Sequence, residues 1–231
     1  MRAQSDNSTL SALNANAGVV LSFDDYSDTW IEHLPLLEAL GIKATFFVTG
    51  NFLRDSRQAE ARLRPLLESG HSLGVHTFSH RRATEMWESR GLDWLQSEVL
   101  EQSRILGQLS GQPIIAFAYP YGDRNDITDQ TLAPHFHVLR AFGKRSVFTT
   151  QQRLRKGGVI HATSIDNTQA YDPSWYDDQL RAACRQSRFW VVASHHINDT
   201  KWGITPERLT QFAESARRFG LKIFRFDDFL E

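Results

Sequence analysis

The sequence predicts one α/β domain in which parallel strands alternate with helices, folded as a closed or distorted (β/α) barrel. Eight short runs are apolar throughout instead of alternating with polar residues, which is typical of strands covered on both faces. Longer stretches with helical spacing of their apolar residues lie between most of these runs. The 231 residues contain no repeat or linker that would divide them, so the units belong to one domain. A doubly wound open sheet is the second choice.

The apolar runs also predict where a functional site would lie. In both architectures ligands bind at the carboxyl ends of the parallel strands, so catalytic side chains should cluster where the runs end. The eight runs are VVLSF (19–23), ATFFVT (44–49), SLGVH (72–76), IIAFAYP (114–120), SVFTT (146–150), VIHATSI (159–165), FWVVASH (189–195) and LKIFRF (221–226).

Five helices are predicted, and glycines mark the ends of several of them. Gly41, Gly70, Gly111 and Gly220 each follow a helical pattern at the position where a left-handed residue commonly ends a helix. A Thr-Pro pair at 205–206 is typical of a helix start. The helical stretches are 30–40, 58–69, 92–109, 173–186 and 206–219.

Charge and composition argue against several classes of partner. The formal net charge is -1 and the sequence pI is about 6.8, so the chain has no strong field that would attract nucleic acid or an anionic membrane. We therefore expect no nucleic-acid partner, and a polymer substrate that is neutral or mixed in charge. No apolar run approaches the roughly 20 residues that cross a bilayer, so no membrane span is expected. Cys184 is the only cysteine, which excludes an intrachain disulfide.

The chain begins with a polar stretch. Residues 1–17 lack the apolar region of a secretory signal and are interpreted as an extension that precedes the folded domain at 18–231. A protein from which an export signal had been removed would be periplasmic or secreted, and otherwise it would be cytoplasmic. The sequence leaves the compartment and the oligomeric state open.

Two adjacent carboxylates, Asp24 and Asp25, follow the first apolar run. Side by side beyond a buried strand, they would repel each other and lose hydration unless something neutralised them. A divalent cation meets this need if one aspartate binds it and the other stays free to act as a base. The alternative is a solvated turn or a helix N-cap, where aspartate is common.

Two histidines, His76 and His80, follow the third run at a spacing of four residues. This spacing can present two imidazole nitrogens to one cation, and two histidines with one carboxylate leave positions open for water and substrate. The alternative is a pair of polar loop histidines. His71, just upstream, is interpreted as the partner of a backbone group.

Other candidates follow later runs. The turn Tyr119-Pro120-Tyr121-Gly122 could aim a backbone N–H at an oxyanion, or it could be an ordinary tight turn. One of His195 and His196 could point inward from the seventh run and act as a general acid, since an unperturbed imidazole titrates near neutrality. The pair His135 and His137 has a spacing suited to metal ligands. No carboxylate or strand end supports that pair, so we assign it no metal.

Taken in this order, SFDD, HTFSH, AYPYG and SHHI resemble the motifs of the polysaccharide deacetylase family, which is carbohydrate esterase family 4 with its NodB-homology domain. The resemblance runs from about Val19 to Leu230. It implies a distorted (β/α)7 barrel similar to a TIM barrel, with 18–231 as the catalytic domain. It also implies a metal-dependent hydrolase that removes acetyl groups from N-acetylated glycans of the chitin, peptidoglycan or poly-N-acetylglucosamine type. The cofactor would be one divalent metal, zinc in the first place, with cobalt, nickel or manganese as alternatives.

The resemblance also implies roles for individual residues. Asp25, His76 and His80 match the metal ligands, and Asp24 matches the catalytic base. The backbone N–H of Tyr121 would help to hold the oxyanion. His195 matches the general acid.

The third motif departs from the family. Ala118 stands where the family usually carries an arginine that orients the catalytic aspartate, which leaves open how Asp24 is held. Asp166 could orient His195, Trp175 could line the acetyl pocket, and Trp202 could stack on a sugar face. With Pro120, these residues complete the candidates for substrate binding.

Three other functions stay open from the sequence. The same metal chemistry could act on an acetyl ester, as in decorated xylan, or on another non-peptide C–N bond. A barrel that had lost activity could serve as a carbohydrate-binding module, for which Ala118 is the only indication.

Overall fold

Seven parallel strands close into a barrel in the computed structural model, which describes residues 16–143, 147–168 and 173–230. Nearly all of the predicted extension at 1–17 lies outside the described residues. The strands are β1 (Gly18–Asp25), β2 (Thr45–Val48), β3 (Ser72–Val75), β4 (Ala116–Ala118), β5 (Val138–Phe142), β6 (Phe148–Thr149), β7 (Gly158–Ser164), β8 (Phe189–Ser194) and β9 (Lys222–Phe224).

The strand order confirms the barrel and rules out the open sheet. Parallel pairing runs β1–β2–β3–β4–β5–β7–β8, and β8 pairs in parallel with β1 to close the ring. Strand β9 adds to β1 in parallel, and the two-residue β6 adds to β8 in the antiparallel sense. Closure leaves the carboxyl ends of all seven barrel strands on one rim, which fixes the location of the site.

The helices follow the predicted stretches, with additions. The described helices are α1 (Asp28–Glu32), α2 (Leu34–Ala39), α3 (Ser56–Glu68), α4 (Ala83–Arg90), α5 (Leu92–Trp94), α6 (Glu101–Ser110), α7 (Asp126–Leu132), α8 (Gln151–Lys156), α9 (Pro173–Gln186) and α10 (Pro206–Arg218). The predicted helix at 30–40 is divided into α1 and α2, and a π-helical turn (Leu95–Leu100) joins α5 to α6. Helices α4, α7 and α8 were not predicted. Among these helices, none has both the length and the apolar character needed to cross a membrane.

The predicted helix ends are confirmed by backbone geometry. Gly41, Gly70, Gly111 and Gly220 all have φ between 67° and 78°, in the left-handed region that glycine adopts without steric cost. At the start of α10, the side chain of Thr205 accepts the backbone N–H of Arg208.

Two of the predicted strands, β6 and β9, lie outside the closed ring, and one strand of the ring was missed. The run 146–150 contributes only β6, whose Phe148 pairs with Trp190 outside the parallel barrel. The barrel position between β4 and β7 is taken by β5 instead. The segment that forms β5 contains Arg140 in the middle of its apolar residues, so it does not show the continuous apolar pattern of a buried strand.

Alternate side chains of the strands form two apolar layers. Those that point outward pack against the helices, and those that point inward fill the barrel with small residues and phenylalanines. The 3₁₀ turn Phe226–Phe229 closes the barrel at the strand starts, where the N–H of Phe226 donates to Thr45 Oγ1. The inner layer consists of Val20, Phe47, Ala116, Ala118, Val138, Leu154, Ile160, Ala162, Phe189, Val191, Ala193, Phe226 and Phe229.

Substitution of Gly74 by alanine is expected to destabilise the barrel by about 1–3 kcal/mol, because the added methyl group overpacks the interior. A Cβ at Gly74 would lie 2.3 Å from Cδ1 of Phe47, its register partner on β2. The free energy of unfolding from urea denaturation measures the effect. Gly111→Ala is the control because it meets nothing within 4 Å and adds only left-handed strain. A Gly74→Ala loss no larger than that of the control would contradict the packing of this layer.

Candidate active site

The carboxyl ends of β1 and β3 bring Asp25, His76 and His80 together. Asp25 Oδ1 lies 3.4 Å from Nε2 of His76 and 3.1 Å from Nε2 of His80. Their three ligand atoms lie within 4.8 Å of one another. Among the residues that the structure describes, no other group of three histidine, cysteine or acidic side chains has such an arrangement. We call these three residues the metal triad.

Hydrogen bonding and charge prepare the metal triad for a cation. Nδ1 of His76 lies 2.7 Å from the Ala118 carbonyl oxygen, which can only accept, so Nδ1 carries a proton and Nε2, which faces Asp25, is the nitrogen available to a cation. Burial lowers the pKa of His80, with the neighbouring charge of His76 acting in the same sense, which favours its neutral ligating form. Asp25 Oδ1 is buried and has no hydrogen-bond partner among the described residues.

The carboxyl group of Asp25 is ionised. Burial opposes its charge, but the nearby His76 imidazole and the positive charge that His76 and His80 carry when protonated outweigh burial and hold the pKa of Asp25 far below its usual range. A carboxylate and two neutral imidazoles form the donor set of many catalytic zinc sites, with positions left for water and substrate. The residues present therefore fit a divalent metal.

Backbone strain is concentrated around this site. Five non-glycine residues of the described chain have positive φ, and four of them lie at the rim of the barrel. These four are Asp25 at 74°, Thr77 at 63°, His80 at 51° and Tyr121 at 60°. Such conformations cost of order 1–3 kcal/mol each and persist only where surrounding contacts enforce them.

Asp24 is held by an arginine from a strand that the sequence did not predict. Its side chain points into the barrel, where it is 1% exposed, and its Oδ2 accepts a hydrogen bond from Nη2 of the fully buried Arg140 on β5. Arg140 is the register partner of Ala118, so the guanidinium enters from the strand beside the one that carries the family's arginine. The rings of Phe47 and Phe142 lie 5.1 and 4.6 Å from the guanidinium carbon. Asp24 Oδ1 keeps no protein partner among the described residues.

His195 follows β8 and is oriented by Asp166. Its Nδ1 lies 3.1 Å from Oδ2 of the fully buried Asp166, which also accepts hydrogen bonds from Ser194 and Ser164. Burial lowers the pKa of His195, but the hydrogen bond to Asp166 and the charges of Asp24 and Asp166 prevail and raise the pKa to about 9. The imidazole is therefore a proton donor at neutral pH.

These groups line one cleft of about 490 Å³. Two exposed aromatic rings flank it: Tyr121, 60% exposed, has its ring centroid 4.6 Å from that of His80, and Trp202, 51% exposed, lies 5.7 Å from His195. Phe142 stacks on His195 at 6.2 Å. The lining residues are Asp24, Asp25, His76, His80, Tyr121, Phe142, Ser164, Asp166, Thr168, His195 and Trp202.

Two predicted substrate-binding residues do not line this cleft. Trp175 lies on α9, outside the barrel, and its indole packs edge-on against Trp190 at 5.3 Å, so its expected place in an acetyl pocket is wrong. Pro120 is buried at the start of the 3₁₀ turn Pro120–Gly122, directly before Tyr121. Its place in the turn supports the backbone and does not expose it to a substrate.

The remaining histidines have other partners. His71 Nδ1 accepts the backbone N–H of Ala44 at 3.1 Å, which confirms the predicted backbone role. His137 Nε2 lies 3.2 Å from the Leu154 carbonyl oxygen, and His135 is exposed. His196 does not line the cleft, and its backbone N–H donates to the Trp202 carbonyl.

Comparisons with known proteins agree with the fold and show the family. The chain belongs to the polysaccharide deacetylase family, whose model matches residues 14–135. The candidate polysaccharide deacetylase YxkH of Bacillus subtilis (strain 168) is 26% identical over 112 residues, which are 48% of this chain and 39% of that protein. The chain spans less than half the length of the curated relatives that it matches.

Solved structures show the same fold at low identity. The Xyl-CE4 domain of a multidomain xylanase from the hindgut metagenome of Trinervitermes trinervoides is 18% identical with a TM-score of 0.65, covering 92% of this chain and 89% of that one. The Bc1960 peptidoglycan N-acetylglucosamine deacetylase is 17% identical with a TM-score of 0.66, covering 94% and 89%. A mutant of the family 4 pseudoenzyme BA3943 with restored activity is 16% identical with a TM-score of 0.60, covering 94% and 68%.

Removal of Arg140 is expected to destabilise the protein, because Asp24 would then be buried without its countercharge. Arg140→Met should lose about 3–5 kcal/mol of unfolding free energy at pH 7, because it leaves a buried carboxylate without a countercharge. The double variant Asp24→Asn/Arg140→Met should recover much of that loss, giving a coupling energy of about 2 kcal/mol or more in a double-mutant cycle. Denaturant unfolding measures the free energy of unfolding of the wild type, of the single variants Asp24→Asn and Arg140→Met, and of the double variant.

The exposed pair Arg64 and Glu60 serves as the control for this cycle, since surface pairs contribute about 0–1 kcal/mol. An Arg140→Met variant as stable as the wild type would show that the buried pair does not hold Asp24.

Proposed function

We propose that this protein is a metal-dependent hydrolase that removes acetyl groups from N-acetylated glycans of the chitin, peptidoglycan or poly-N-acetylglucosamine type. Membership of the deacetylase family supports a hydrolase acting on acetylated sugars. One observation carries the finer proposal: a single cleft holds the metal triad between a buried carboxylate, Asp24, and a protonated imidazole, His195. These are the groups that hydrolysis of an amide requires on its two sides.

The metal triad would hold the cation. Zinc suits two imidazoles and a carboxylate best, with cobalt, nickel or manganese as alternatives. When bound, such a cation acts as a Lewis acid that polarises the acetyl carbonyl and increases the acidity of water.

Asp24 accepts the proton of the attacking water. Its two oxygens have different environments, since Oδ2 is bound by Arg140 while Oδ1 has no partner among the described residues and lies at the cleft. Arg140 therefore fixes the orientation of the carboxylate and leaves one oxygen ready to accept a proton. A base placed in this way typically accelerates a reaction by about 10²–10⁴-fold.

His195 delivers a proton to the departing amine. Asp166 holds Nδ1, which leaves Nε2 to face the cleft as the donor. The backbone N–H of Tyr121 would bind the oxyanion, a contribution of roughly 3–4 kcal/mol for one well-placed donor. The left-handed conformation of Tyr121 holds this turn in one orientation at the rim.

The exposed rings of Tyr121 and Trp202 suit a carbohydrate. Flat apolar rings with a polar edge can pack against the faces of pyranose rings, and these two lie beside His80 and His195 at the cleft. Lys201 lies over the Trp202 ring, with Nζ 5.0 Å from its centroid. A glycan lying across the cleft would place its acetyl group between the two rings.

An acetyl ester is the alternative substrate. The same groups could hydrolyse it, and a related barrel belongs to a xylanase. A carbohydrate-binding barrel without activity is disfavoured because Arg140 supplies the charge whose absence was the only indication for that function.

Chelation followed by metal replacement tests this proposal. Apoprotein should release no acetate from N-acetylglucosamine oligomers, and one equivalent of zinc per chain should restore release, because the metal triad forms a single site. Acetate should be measured in parallel with acetylated xylan. Release from xylan alone would establish the ester alternative. Glycan binding without acetate release, whichever metal is added, would instead support a carbohydrate-binding barrel without activity.

Two neighbouring substitutions should separate the roles of the paired aspartates. Asp24→Asn is expected to retain zinc and lower kcat by about 10²–10⁴-fold, because it removes the base and keeps the metal triad. Asp25→Ala should lose tight zinc binding and turnover together. Elemental analysis and steady-state kinetics measure both properties. Near-normal kcat in Asp24→Asn would contradict the assignment of the base.

A further inference from the structure

The helical segment at 92–110 buries two polar side chains on an otherwise apolar face. Glu98, in the π-helical turn, is 7% exposed, and Gln102, at the start of α6, is fully buried. Burying such groups costs free energy unless each finds a hydrogen-bond partner. The apolar residues of this face are Trp94, Leu95, Val99, Leu106 and Leu109.

Gln102 joins the ends of β2 and β3. Its Oε1 accepts the backbone N–H of His76 at 3.0 Å, and its Nε2 donates to the backbone carbonyl of Val48 at 3.0 Å. Val48 is the register partner of Asp25 on β1. One side-chain amide therefore fixes the backbone of one triad residue and the strand end beside another.

Glu98 holds the backbone next to the third triad residue. Its Oε2 accepts the backbone N–H of Ser79 at 2.8 Å, one residue before His80. This loop contains two left-handed non-glycine residues, Thr77 and His80, and a contact from the His80 N–H to Thr77 Oγ1 at 3.1 Å. A strained loop of this kind needs external contacts to keep one conformation.

Backbone pairing of the sheet ends before this loop, where Thr49, directly after β2, adds one contact by donating from Oγ1 to the Thr77 carbonyl at 2.6 Å. The pairing of β3 with β4 consists of one register pair, Val75 with Phe117, so it ends before His76. The π-helical turn lies against the loop at this point, and π-helical turns often occur at functional sites because they change which side chains a helix presents.

We infer that Glu98 and Gln102 are positioning residues that set the metal affinity of the site by fixing the backbone of His76, of the residue before His80 and of the strand end beside Asp25. The inference rests on the proposed metal-binding function and goes beyond the triad itself. Residues that orient metal ligands typically change affinity by about 10–100-fold when they are removed.

The zinc affinity of the metal-free protein tests the inference without any substrate. Competition with a chromophoric chelator should give a zinc Kd at least about tenfold weaker in Gln102→Met and in Glu98→Met than in the wild type. Glu98→Gln should retain most of the affinity, because its amide oxygen can still accept the Ser79 N–H. Gln108→Met, at an exposed position on α6, is the matched control and should bind zinc as the wild type does.

The melting temperature of each apoprotein separates positioning from simple stabilisation. Methionine variants that melt at lower temperature but keep the wild-type zinc Kd would overturn the inference, since the contacts would then serve only the fold. If Gln102→Met does not fold, the comparison of Glu98→Met with Glu98→Gln decides by the same criterion. A wild-type protein that binds neither zinc nor cobalt, nickel or manganese would refute the proposed function itself, whereas zinc binding unchanged by these substitutions would refute only the positioning role.

Discussion

Neutralisation of buried charge is the constraint on which the rest of the site depends. Three carboxylates converge on the carboxyl rim of one barrel, and each is compensated differently. Asp24 is paired with a buried guanidinium, Asp166 accepts two hydroxyl hydrogen bonds and holds His195, and Asp25 faces two imidazoles with one oxygen unpartnered. Asp24 has a full countercharge within the protein, although its Oδ1 is unpartnered, and Asp166 has hydrogen-bond donors on both oxygens. The third is the one whose environment calls for a cation, and this difference divides the carboxylates into base, orienting group and ligand.

Much of the architecture followed from pattern alone, and the exceptions have a common physical cause. Continuous apolar runs and helix-ending glycines placed most strands and helices, because burial on both faces and left-handed helix ends leave strong local signals. Strand β5 was not predicted because Arg140 interrupts its apolar run. For the same reason Arg140 was not predicted as the partner of Asp24. The sequence does not predict that an arginine will be buried inside a barrel, because its burial depends on a partner that lies far away in the sequence. The sequence also did not show that Trp175 packs against Trp190 outside the barrel, because this contact depends on the tertiary structure.

The sequence carries a signal for the metal triad, because its two histidines stand four residues apart and Asp25 follows an apolar run, whereas the supports of the triad are distant in sequence. Glu98 and Gln102 are visible in the sequence as polar positions on an apolar helical face, but their partners lie on strands up to 54 residues away. The strained backbone at Asp25, Thr77 and His80 is likewise a tertiary property, since the surrounding contacts must outweigh its local cost. Rigidity at the rim therefore comes from a helix that packs outside the barrel. The site depends on that packing as much as on the residues that face the substrate.

Anomalous X-ray diffraction at the zinc edge, from crystals grown with zinc, tests the central claim most directly. The account predicts one strong peak at the barrel rim, about 2.0–2.2 Å from an oxygen of Asp25 and from Nε2 of both His76 and His80. A peak bound by other groups while these three side chains face away from a common point would contradict the account. So would the absence of any peak from a crystal saturated with zinc.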